Sequence, residues 1–384
     1  GQSGSQQLEA VRDFQSYTWQ EVPAGPRWEP RAGLQALELD GRFYVLGGRT
    51  PRPPRMPNPV PGDSDIWSDV WVSEDKGETW EKLLDSGGEH WAPRAYFKAV
   101  TKGEWLYVVG GQDFQLVELP FCAGQPPEEC PPFVSLSSFF NDVWRSRDGV
   151  DWERMTEAAP GEGRAGLSVA VLNDELYVMA GSKNDDSAIT GGPPLRIYFN
   201  DVWKSSEGRQ WTRVTAAADW SPRAGAVVVT RGDYLYMLGG EYGFLCNPLP
   251  DCEQPYLNDV WRSSDGASWE LVTADAGWAP RPGHQCGVIQ GSFICFGGFG
   301  YPENPTDVWA SNEGATWELL DTPPWNARGS DDIKYDFDII VTDPYDAQGD
   351  PAIYTFGGDR ETFDFNDPVN YLRIDDDVWR FALP

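Results

Sequence analysis

The fold is decided by a stretch that recurs along the chain, "NDVWRSSDGASWELV" at residues 258–272. Its tripeptide Asp-Val-Trp occurs six times, beginning at Asp69, Asp142, Asp201, Asp259, Asp307 and Asp377. A second tryptophan follows eight or nine residues later in five of the six units, as Trp80, Trp152, Trp211, Trp269 and Trp317. A regular period in a chain of 384 residues indicates a repeat architecture rather than several unrelated domains.

Two further elements recur in each unit. One is an arginine: Arg31, Arg94, Arg164, Arg223, Arg281 and Arg328. About ten residues later comes an apolar strand that ends in two small residues, as in "LYMLGG" at 235–240. Each unit thus holds four short strands, namely one after the arginine, the Gly-Gly strand, the Asp-Val-Trp strand and the outer Trp strand. Four antiparallel strands repeated radially form the blades of a β-propeller.

The two ends of the sequence complete this pattern. The sixth unit lacks its outer tryptophan, whereas Trp19 lies 12 residues before Arg31, the spacing that Trp152 has to Arg164. We therefore predict an all-β fold, a six-bladed β-propeller of four-stranded antiparallel blades, closed by pairing the N-terminal strand with the last blade, which hides a sheet edge. The predicted single unit, 1–384, has its blades at 28–90, 91–160, 161–219, 220–277, 278–324 and 325–384, and its closing strand at 14–24.

The Gly-Gly strand endings, the spaced Tyr and Trp and the Pro-Arg openings resemble those of the kelch-repeat β-propellers, and this resemblance covers residues 14–384. A second resemblance lies over it, because "SEDKGETW" at 73–80 fits the Asp-box hairpin Ser-x-Asp-x-Gly-x-Thr-Trp. We expect Asp75, Asp148 and Asp265 to cap tight turns on the face opposite the arginines. In the sialidases that carry Asp boxes, these hairpins are likewise remote from the chemistry.

The charge of the chain limits its partners. The sequence has 60 acidic and 30 basic residues, a net charge of −30. Phosphate contacts need clustered Lys and Arg, so nucleic acid is excluded as a partner. No stretch approaches the ~20 apolar residues of a membrane-spanning helix. We expect a monomer without a transmembrane segment.

The six cysteines fall in three close pairs, Cys122 with Cys130, Cys246 with Cys252, and Cys286 with Cys295. In "CGVIQGSFIC" at 286–295, a two-residue Gln-Gly turn would place the two cysteines directly opposite each other across a hairpin. Thiolate ligation of a metal is the alternative, although the sequence contains no CxxC. We predict three local disulfides, and therefore a secreted or periplasmic protein.

Strand direction predicts that the recurring arginines share one mouth of the propeller channel. Guanidinium groups bind carboxylate, sulfate or phosphate bidentately, and a nearby tryptophan offers a face for sugar or peptide stacking. The predicted ligand-binding residues are Arg31, Arg49, Arg94, Arg164, Arg223, Arg281 and Arg328, with Trp28, Trp91, Trp220 and Trp278. The resemblance to kelch adaptor domains implies contacts between such arginines and acidic peptides. The alternative is structural, each arginine pairing with the Asp of a nearby Asp-Val-Trp.

The residues directly after the small-residue pairs differ from blade to blade, as an asymmetric ligand requires: Arg49, Gln112, Ser182, Glu241, Phe299 and Asp359. Glu241 and Asp359 are candidates for a carboxylate pair in acid–base chemistry on a glycoside or a sugar hemiacetal. Tyr242 beside Glu241 resembles the Tyr-Glu nucleophile of sialidases, but their Arg-Ile/Leu-Pro signature is absent. A mutarotase-like activity, known among kelch propellers, is a second enzymatic candidate.

Metal and redox chemistry have weaker sequence support. "DPYDAQGDP" at 343–351 offers Asp343, Asp346 and Asp350 as Ca²⁺ ligands, although without EF-hand spacing. A solvated acidic loop is the alternative interpretation. Copper chemistry of the galactose-oxidase type needs two His, two Tyr and a Cys crosslink, whereas the only histidines are His90 and His284 and the cysteines are assigned to disulfides.

Together these patterns predict an extracytoplasmic propeller that binds an anionic glycan, a small carboxylate or an acidic protein segment at an arginine-rich, loop-lined mouth. We expect a binding protein rather than an enzyme. The alternative function is a carbohydrate-active enzyme that uses the carboxylate pair at the same mouth.

Overall fold

The computed structural model describes residues 14–23, 25–54, 62–126, 129–185, 195–243, 255–300, 303–342, 350–364 and 366–384. Within these ranges the strands form six four-stranded antiparallel sheets arranged as the blades of a propeller. The predicted fold is therefore confirmed. Two short two-stranded hairpins extend the second and third blades.

The strands follow in chain order. The closing strand is β1 (Thr18–Glu21), and blade one holds β2 (Gln35–Leu39), β3 (Arg42–Pro51), β4 (Ser64–Ser73) and β5 (Glu81–Leu84). Blade two holds β6 (Lys98–Lys102), β7 (Trp105–Val109), β10 (Val143–Ser146) and β11 (Trp152–Thr156), with the hairpin β8 (Gln112–Glu118) and β9 (Phe133–Phe139). Blade three holds β12 (Ser168–Leu172), β13 (Glu175–Met179), β16 (Val202–Ser205) and β17 (Thr212–Thr215), with the hairpin β14 (Ser182–Lys183) and β15 (Ile197–Tyr198).

The remaining blades are simpler. Blade four holds β18 (Val227–Arg231), β19 (Tyr234–Glu241), β20 (Tyr256–Ser263) and β21 (Glu270–Thr273), and blade five holds β22 (His284–Ile289), β23 (Ser292–Gly297), β24 (Val308–Ser311) and β25 (Glu318–Leu320). Blade six holds β26 (Asp338–Thr342), β27 (Ala352–Asp359) and β28 (Ile374–Ala382). Short 3₁₀ helices span Phe14–Ser16, Pro120–Cys122, Pro324–Asn326, Ser330–Asp332 and Asn370–Leu372.

The ring closes as the sequence predicts. Strand β1 pairs antiparallel with β28, with Thr18 opposite Ala382. Trp19 is buried, and its ring lies 5.0 Å from the rings of both Phe296 and Phe381. The last blade thus takes its outer strand from the beginning of the chain, which removes an open sheet edge.

The outer hairpins are built by the Asp-box-like segments. Asp265 Oδ1 accepts hydrogen bonds from the backbone N–H groups of Ala267 and Ser268 at 2.8 and 3.0 Å. These N–H groups, together with the Ser263 hydroxyl, hold the pKa of Asp265 below its ordinary value despite partial burial. Gly266 follows with a φ of +75°, and a Cβ there would lie 2.8 Å from the Tyr177 ring of the neighbouring blade. The aspartate of this hairpin thus forms a turn, as predicted.

A closed ring of backbone hydrogen bonds surrounds the propeller axis. Six residues, one from each blade, each donate an N–H to the carbonyl of the preceding member at 2.8 to 3.1 Å: Gly33, Tyr96, Gly166, Gly225, Gly283 and Asp336. All six adopt left-handed backbone conformations, with φ between 54° and 69°. Four are glycine, for which this conformation is unstrained, and Tyr96 and Asp336 are the two exceptions.

Two of the three predicted disulfides are observed. Cys122 is bonded to Cys130, and Cys286 to Cys295. Cys286 lies directly opposite Cys295 in the β22–β23 hairpin, as the Gln-Gly turn predicts. Cys246 and Cys252 lie outside the described residues. In the part of the chain described above, no helix has the length and hydropathy needed to cross a membrane.

Candidate functional site

Five of the recurring arginines are buried inside the ring rather than displayed at its mouth. Arg31, Arg94, Arg164, Arg223 and Arg281 are at most 2% exposed. Arg223 is representative: its Nη1 and Nη2 donate to the two carboxylate oxygens of Asp259 at 2.7 and 2.9 Å, and Nη1 also donates to the Gly239 carbonyl at 3.0 Å. Arg31, Arg94 and Arg164 pair in the same way with the Asp of their own blade's Asp-Val-Trp. Arg281 bonds Asp307 through Nη1, and its Nη2 has no partner among the described residues. The structural alternative therefore describes these five arginines, which expose little surface to a ligand.

The sixth position of this pattern is a lysine, which corrects the assignment of Arg328. Lys334 is fully buried, and its Nζ lies 2.5 Å from Asp377 Oδ1 and 3.1 Å from Asp375 Oδ2. Arg328 is exposed in the loop before it. The physical reason is register: Lys334, like the five arginines, stands two residues before a member of the axial ring, here Asp336, whereas Arg328 matches only the distance from a preceding tryptophan.

The predicted stacking tryptophans are also part of the framework. Trp28, Trp91, Trp220 and Trp278 are at most 2% exposed. Each packs edge-to-face against the outer tryptophan of its own blade, with ring centroids 5.7 to 6.0 Å apart. These rings fill the blade interiors, so they leave almost no face for a sugar or a peptide.

A cavity of about 470 Å³ opens above the axial ring. All six residues that follow the small-residue pairs line it, as their variation between blades led us to expect: Arg49, Gln112, Ser182, Glu241, Phe299 and Asp359. A backbone hydrogen bond to the segment just before the first strand of the blade fixes each of them; Glu241, for example, bonds Ala224 in both directions at 2.9 Å. Five members of the axial ring form the floor, because they line both this cavity and one of about 60 Å³ beneath it: Tyr96, Gly166, Gly225, Gly283 and Asp336.

Arg49 lies on the cavity wall, and each of its three nitrogens already donates one hydrogen bond. Its Nε donates to the Tyr96 hydroxyl at 2.7 Å and its Nη1 to the Ser64 hydroxyl at 3.2 Å. Its Nη2 forms an ion pair with Asp359. The guanidinium is therefore held in place by Tyr96, Ser64 and Asp359, which leaves it little capacity to bind an anionic ligand.

The cavity is strongly acidic. Among the described residues, its lining holds seven carboxyl groups and one guanidinium, that of Arg49: Asp185, Glu241, Asp336, Asp359, Glu361, Asp364 and Asp367. Burial, with the neighbouring Asp359, raises the pKa of Asp336 to about 7, and the same two causes raise the pKa of Glu361 to about 7. Near neutral pH these two groups can therefore exchange protons with a ligand or with solvent.

Glu241, like Asp359, is a buried acid of this lining. It is 7% exposed, and its Oε2 has no hydrogen-bond partner among the described residues. Burial and the nearby Asp185 carboxyl raise its pKa well above the ordinary value. Asp185 in turn accepts a hydrogen bond from the Tyr198 hydroxyl. A buried carboxyl oxygen without a partner is energetically costly, which points to a missing ligand group.

The remaining predicted residues lie apart from this arrangement. Tyr242 is 43% exposed and does not line the cavity, although its neighbour Glu241 does. Within the described ranges no three or more His, Cys, Asp or Glu side chains are grouped to hold a metal ion. Of the proposed Ca²⁺ ligands, Asp350 is described, while Asp343 and Asp346 lie outside those ranges. His284 is buried against Trp278, and burial lowers its pKa to about 3.

Sequence reasoning missed several residues of the cavity. Tyr96 and Asp336 carried a signal, because they replace the glycine that follows Arg-Ala or Arg-Pro in the other four blades. Glu361 and Asp185 lie in loops after the second strand, and these loops differ in length and sequence from blade to blade, so no periodic signal marks the two residues. The departures from the repeat thus converge on the floor and the wall of one cavity.

The fold and the site define this protein as a six-bladed β-propeller with a ligand-sized cavity on its axis. No known family's sequence profile matches the chain. A tRNA wybutosine-synthesizing protein 2/3/4 of Oryza sativa subsp. japonica is 32% identical over 82 residues. That similarity covers 21% of this chain and 7% of the rice protein, so it concerns a small part of each.

Proposed function

We propose that this protein is an extracytoplasmic, kelch-like binding propeller that holds a small polar ligand in the axial cavity. The observation that carries the proposal is the cavity itself, a space of about 470 Å³ lined by the residues that break the repeat. This volume lies within the range of about 300–1,000 Å³ that is usual for small-molecule sites. Its walls combine apolar rings with a few convergent polar groups, which is the usual composition of such sites.

The charge of the cavity changes the expected ligand. The anionic glycan, the small carboxylate and the acidic protein segment all depended on free arginines, whereas Arg49 and the five framework arginines are bonded to carboxylates or hydroxyls. Carboxyl groups bind the hydroxyl groups of a neutral sugar or the ammonium group of an amine. The proposed ligands are therefore neutral carbohydrates and amines.

An extracytoplasmic location is part of the proposal. The bonded pairs Cys122–Cys130 and Cys286–Cys295 support it, because disulfides persist mainly in oxidising compartments. The first pair ties the loop between β8 and β9, whose Phe114, Leu116 and Phe133 line the cavity. Such a tether lowers the entropy cost of ordering this wall around a ligand.

A calorimetric screen with glucose, glucosamine, glucuronate and sialyllactose tests the proposal. We expect saturable binding of at least one neutral or amine-bearing sugar, weakened in Asp336→Gly and in Glu361→Gln. Glu81→Gln is the matched control, since it removes one carboxylate from an exposed position on the outer strand β5. No saturable binding of any of these sugars or of an organic amine, or binding that both cavity variants leave unchanged, contradicts the proposal.

A carbohydrate-active enzyme is the second candidate, and one observation favours it. Asp336 and Glu361, each with a pKa near 7, lie beside Asp359, which is paired with Arg49. Carboxyl groups in such different environments are suited to separate acid and base roles. Hydrolysis of nitrophenyl glycosides, or faster interconversion of sugar anomers seen by NMR, would support this candidate if Glu361→Gln and Glu241→Gln abolish it. Ligand binding without any turnover would exclude it for the sugars tested.

A further inference from the structure

Among the described residues that line the cavity, two buried polar atoms have no hydrogen-bond partner, Glu241 Oε2 and the Tyr371 hydroxyl, and the carboxyl oxygen is the one that can carry a charge. Glu241 Oε2 is buried and has no partner in the described ranges, although Glu241 lies on the cavity wall. The backbone of Glu241 is fixed from both sides, by Ala224 of the same blade and by pairing with Tyr256 of β20. Its carboxyl group is therefore presented on a rigid element, and the absent partner must come from outside the described protein groups.

The groups around Glu241 favour a cationic partner. Burial raises the pKa of Glu241 most, and Asp185, which also hydrogen-bonds to it, and Asp336 raise this pKa further. The exposed Arg196 acts in the opposite direction. The phenolic groups of Tyr198 and Tyr256 are the other titratable groups nearby, and both have raised pKa values, so they stay neutral. Arg49, the cation of the described lining, is paired with Asp359. A ligand cation would relieve the mutual repulsion of these acids.

An aromatic wall stands next to this acid. Tyr256, which lies across from Glu241, packs against Phe299 with ring centroids 5.9 Å apart. The ring centroid of Phe299 lies 5.5 Å from that of Tyr335 and 5.2 Å from that of Phe363. Phe299, Tyr335 and Phe363 line the cavity. Aromatic faces beside a carboxylate form a favourable environment for an organic cation, through cation–π attraction and apolar contact.

We propose that the ligand of this cavity is an organic amine whose ammonium group binds Glu241 and whose apolar body lies against Phe299 and Phe363. This inference rests on the proposed function, since it names the ligand class of the same site. An ammonium group offers three donors and no acceptor, which complements a floor rich in carboxyl oxygens. Binding keeps the acids ionised, so it releases protons, and the affinity rises with pH through neutrality.

Three probes of similar shape and different charge separate this inference from the proposed function. We suggest titrating phenethylamine, 2-phenylethanol and 3-phenylpropionate calorimetrically at pH 6 and pH 8. A charge-assisted hydrogen bond is roughly twice as strong as a neutral one, so phenethylamine should bind at least about tenfold more tightly than the alcohol at pH 8. The carboxylate should bind most weakly, and the advantage of the amine should shrink at pH 6.

Variants assign the effect to the named groups. Glu241→Gln keeps the shape of the side chain and should cost the amine about tenfold in affinity while leaving the alcohol unchanged. Phe299→Ala should weaken the amine and the alcohol alike, and Glu81→Gln should change neither. Asp336→Gly, which restores the glycine of the other blades, gives a second acid-removing variant that folds without backbone strain and should also weaken the amine.

The outcomes are distinguishable. If the amine and the alcohol bind equally and Phe299→Ala weakens both, the cavity is a ligand site and the amine inference is overturned. The same conclusion follows if Glu241→Gln binds phenethylamine as tightly as the wild type. If none of the three probes and none of the sugars binds, the proposed function and this inference are both overturned.

Discussion

Replacing Arg223 by methionine should destabilise the propeller strongly, because this arginine belongs to the framework. The guanidinium makes five hydrogen bonds, two to Asp259, two to Ser221 and one to the Gly239 carbonyl. Methionine keeps most of the apolar stem but, among the described residues, leaves the Asp259 carboxylate with the Trp261 indole as its remaining side-chain donor. Removing one partner of a buried ion pair typically costs about 3–5 kcal/mol.

Denaturant unfolding followed by tryptophan fluorescence measures this loss. Arg328→Met is the matched control, since Arg328 is exposed and its removal should change the free energy of unfolding by less than about 0.5 kcal/mol. The double variant Arg223→Met with Asp259→Leu should recover part of the loss, because no uncompensated charge stays buried. A loss below about 1 kcal/mol in Arg223→Met would refute the framework role. Weakened ligand binding at unchanged stability would favour the arginine-mouth hypothesis instead.

Three further predictions concern stability. Asp336→Gly should raise the free energy of unfolding by about 1 kcal/mol in denaturant melts, since it relieves a left-handed backbone and a buried carboxyl, whereas Asp336→Ala should keep the backbone strain and gain less. Replacing both Cys286 and Cys295 by serine should cost about 2–3 kcal/mol, as expected for a loop of this length, and an unchanged melting temperature would contradict it. Folding raises the pKa values of Asp336 and Glu361 from their ordinary 3.8 and 4.5 to about 7, so the folded protein binds more protons than the unfolded chain. These two groups should therefore lower the free energy of unfolding as the pH rises from about 4 to 7. Glu361→Gln should flatten that decline when unfolding is measured at pH 5 and pH 8, and an identical slope in the variant would count against the raised pKa.

Much of the fold could be predicted from the sequence because the same motifs recur once in each blade. Asp-Val-Trp and the Gly-Gly strand ending mark the third and second strands of each blade, and the position of Trp19 reveals how the ring closes. The sixth position was assigned to Arg328 instead of Lys334 because the prediction looked for another arginine. The buried position requires a cation for Asp377, and a lysine there serves as well as an arginine.

The site was harder to predict for a physical reason. Whether an arginine is free or paired depends on partners that are distant in sequence: Arg223 and Asp259 are 36 residues apart. The residues after the Gly-Gly pairs could be placed on the cavity wall, because strand direction fixes which end of each strand reaches the mouth. The sign of the cavity's charge could not be predicted, since it depends on loop residues such as Glu361 and Asp185, which follow no period.

The molecule thus divides its charged residues between two tasks. Buried pairs such as Arg164 with Asp201 join strands within a blade, and these pairs repeat around the ring. The acids of the axial cavity do not repeat, and Glu241, which is buried, has an oxygen without a partner among the described residues. A ligand would interact with the second set, whereas the first set keeps the ring intact.

The most direct measurement is a crystal structure of the protein soaked with phenethylamine at pH 8. We expect the ligand in the axial cavity, its ring against Phe299 and its nitrogen about 3 Å from the Glu241 carboxylate, the usual length of such a hydrogen bond. Ligand found only on the outer surface, or an ammonium group turned away from the cavity acids, would contradict the account.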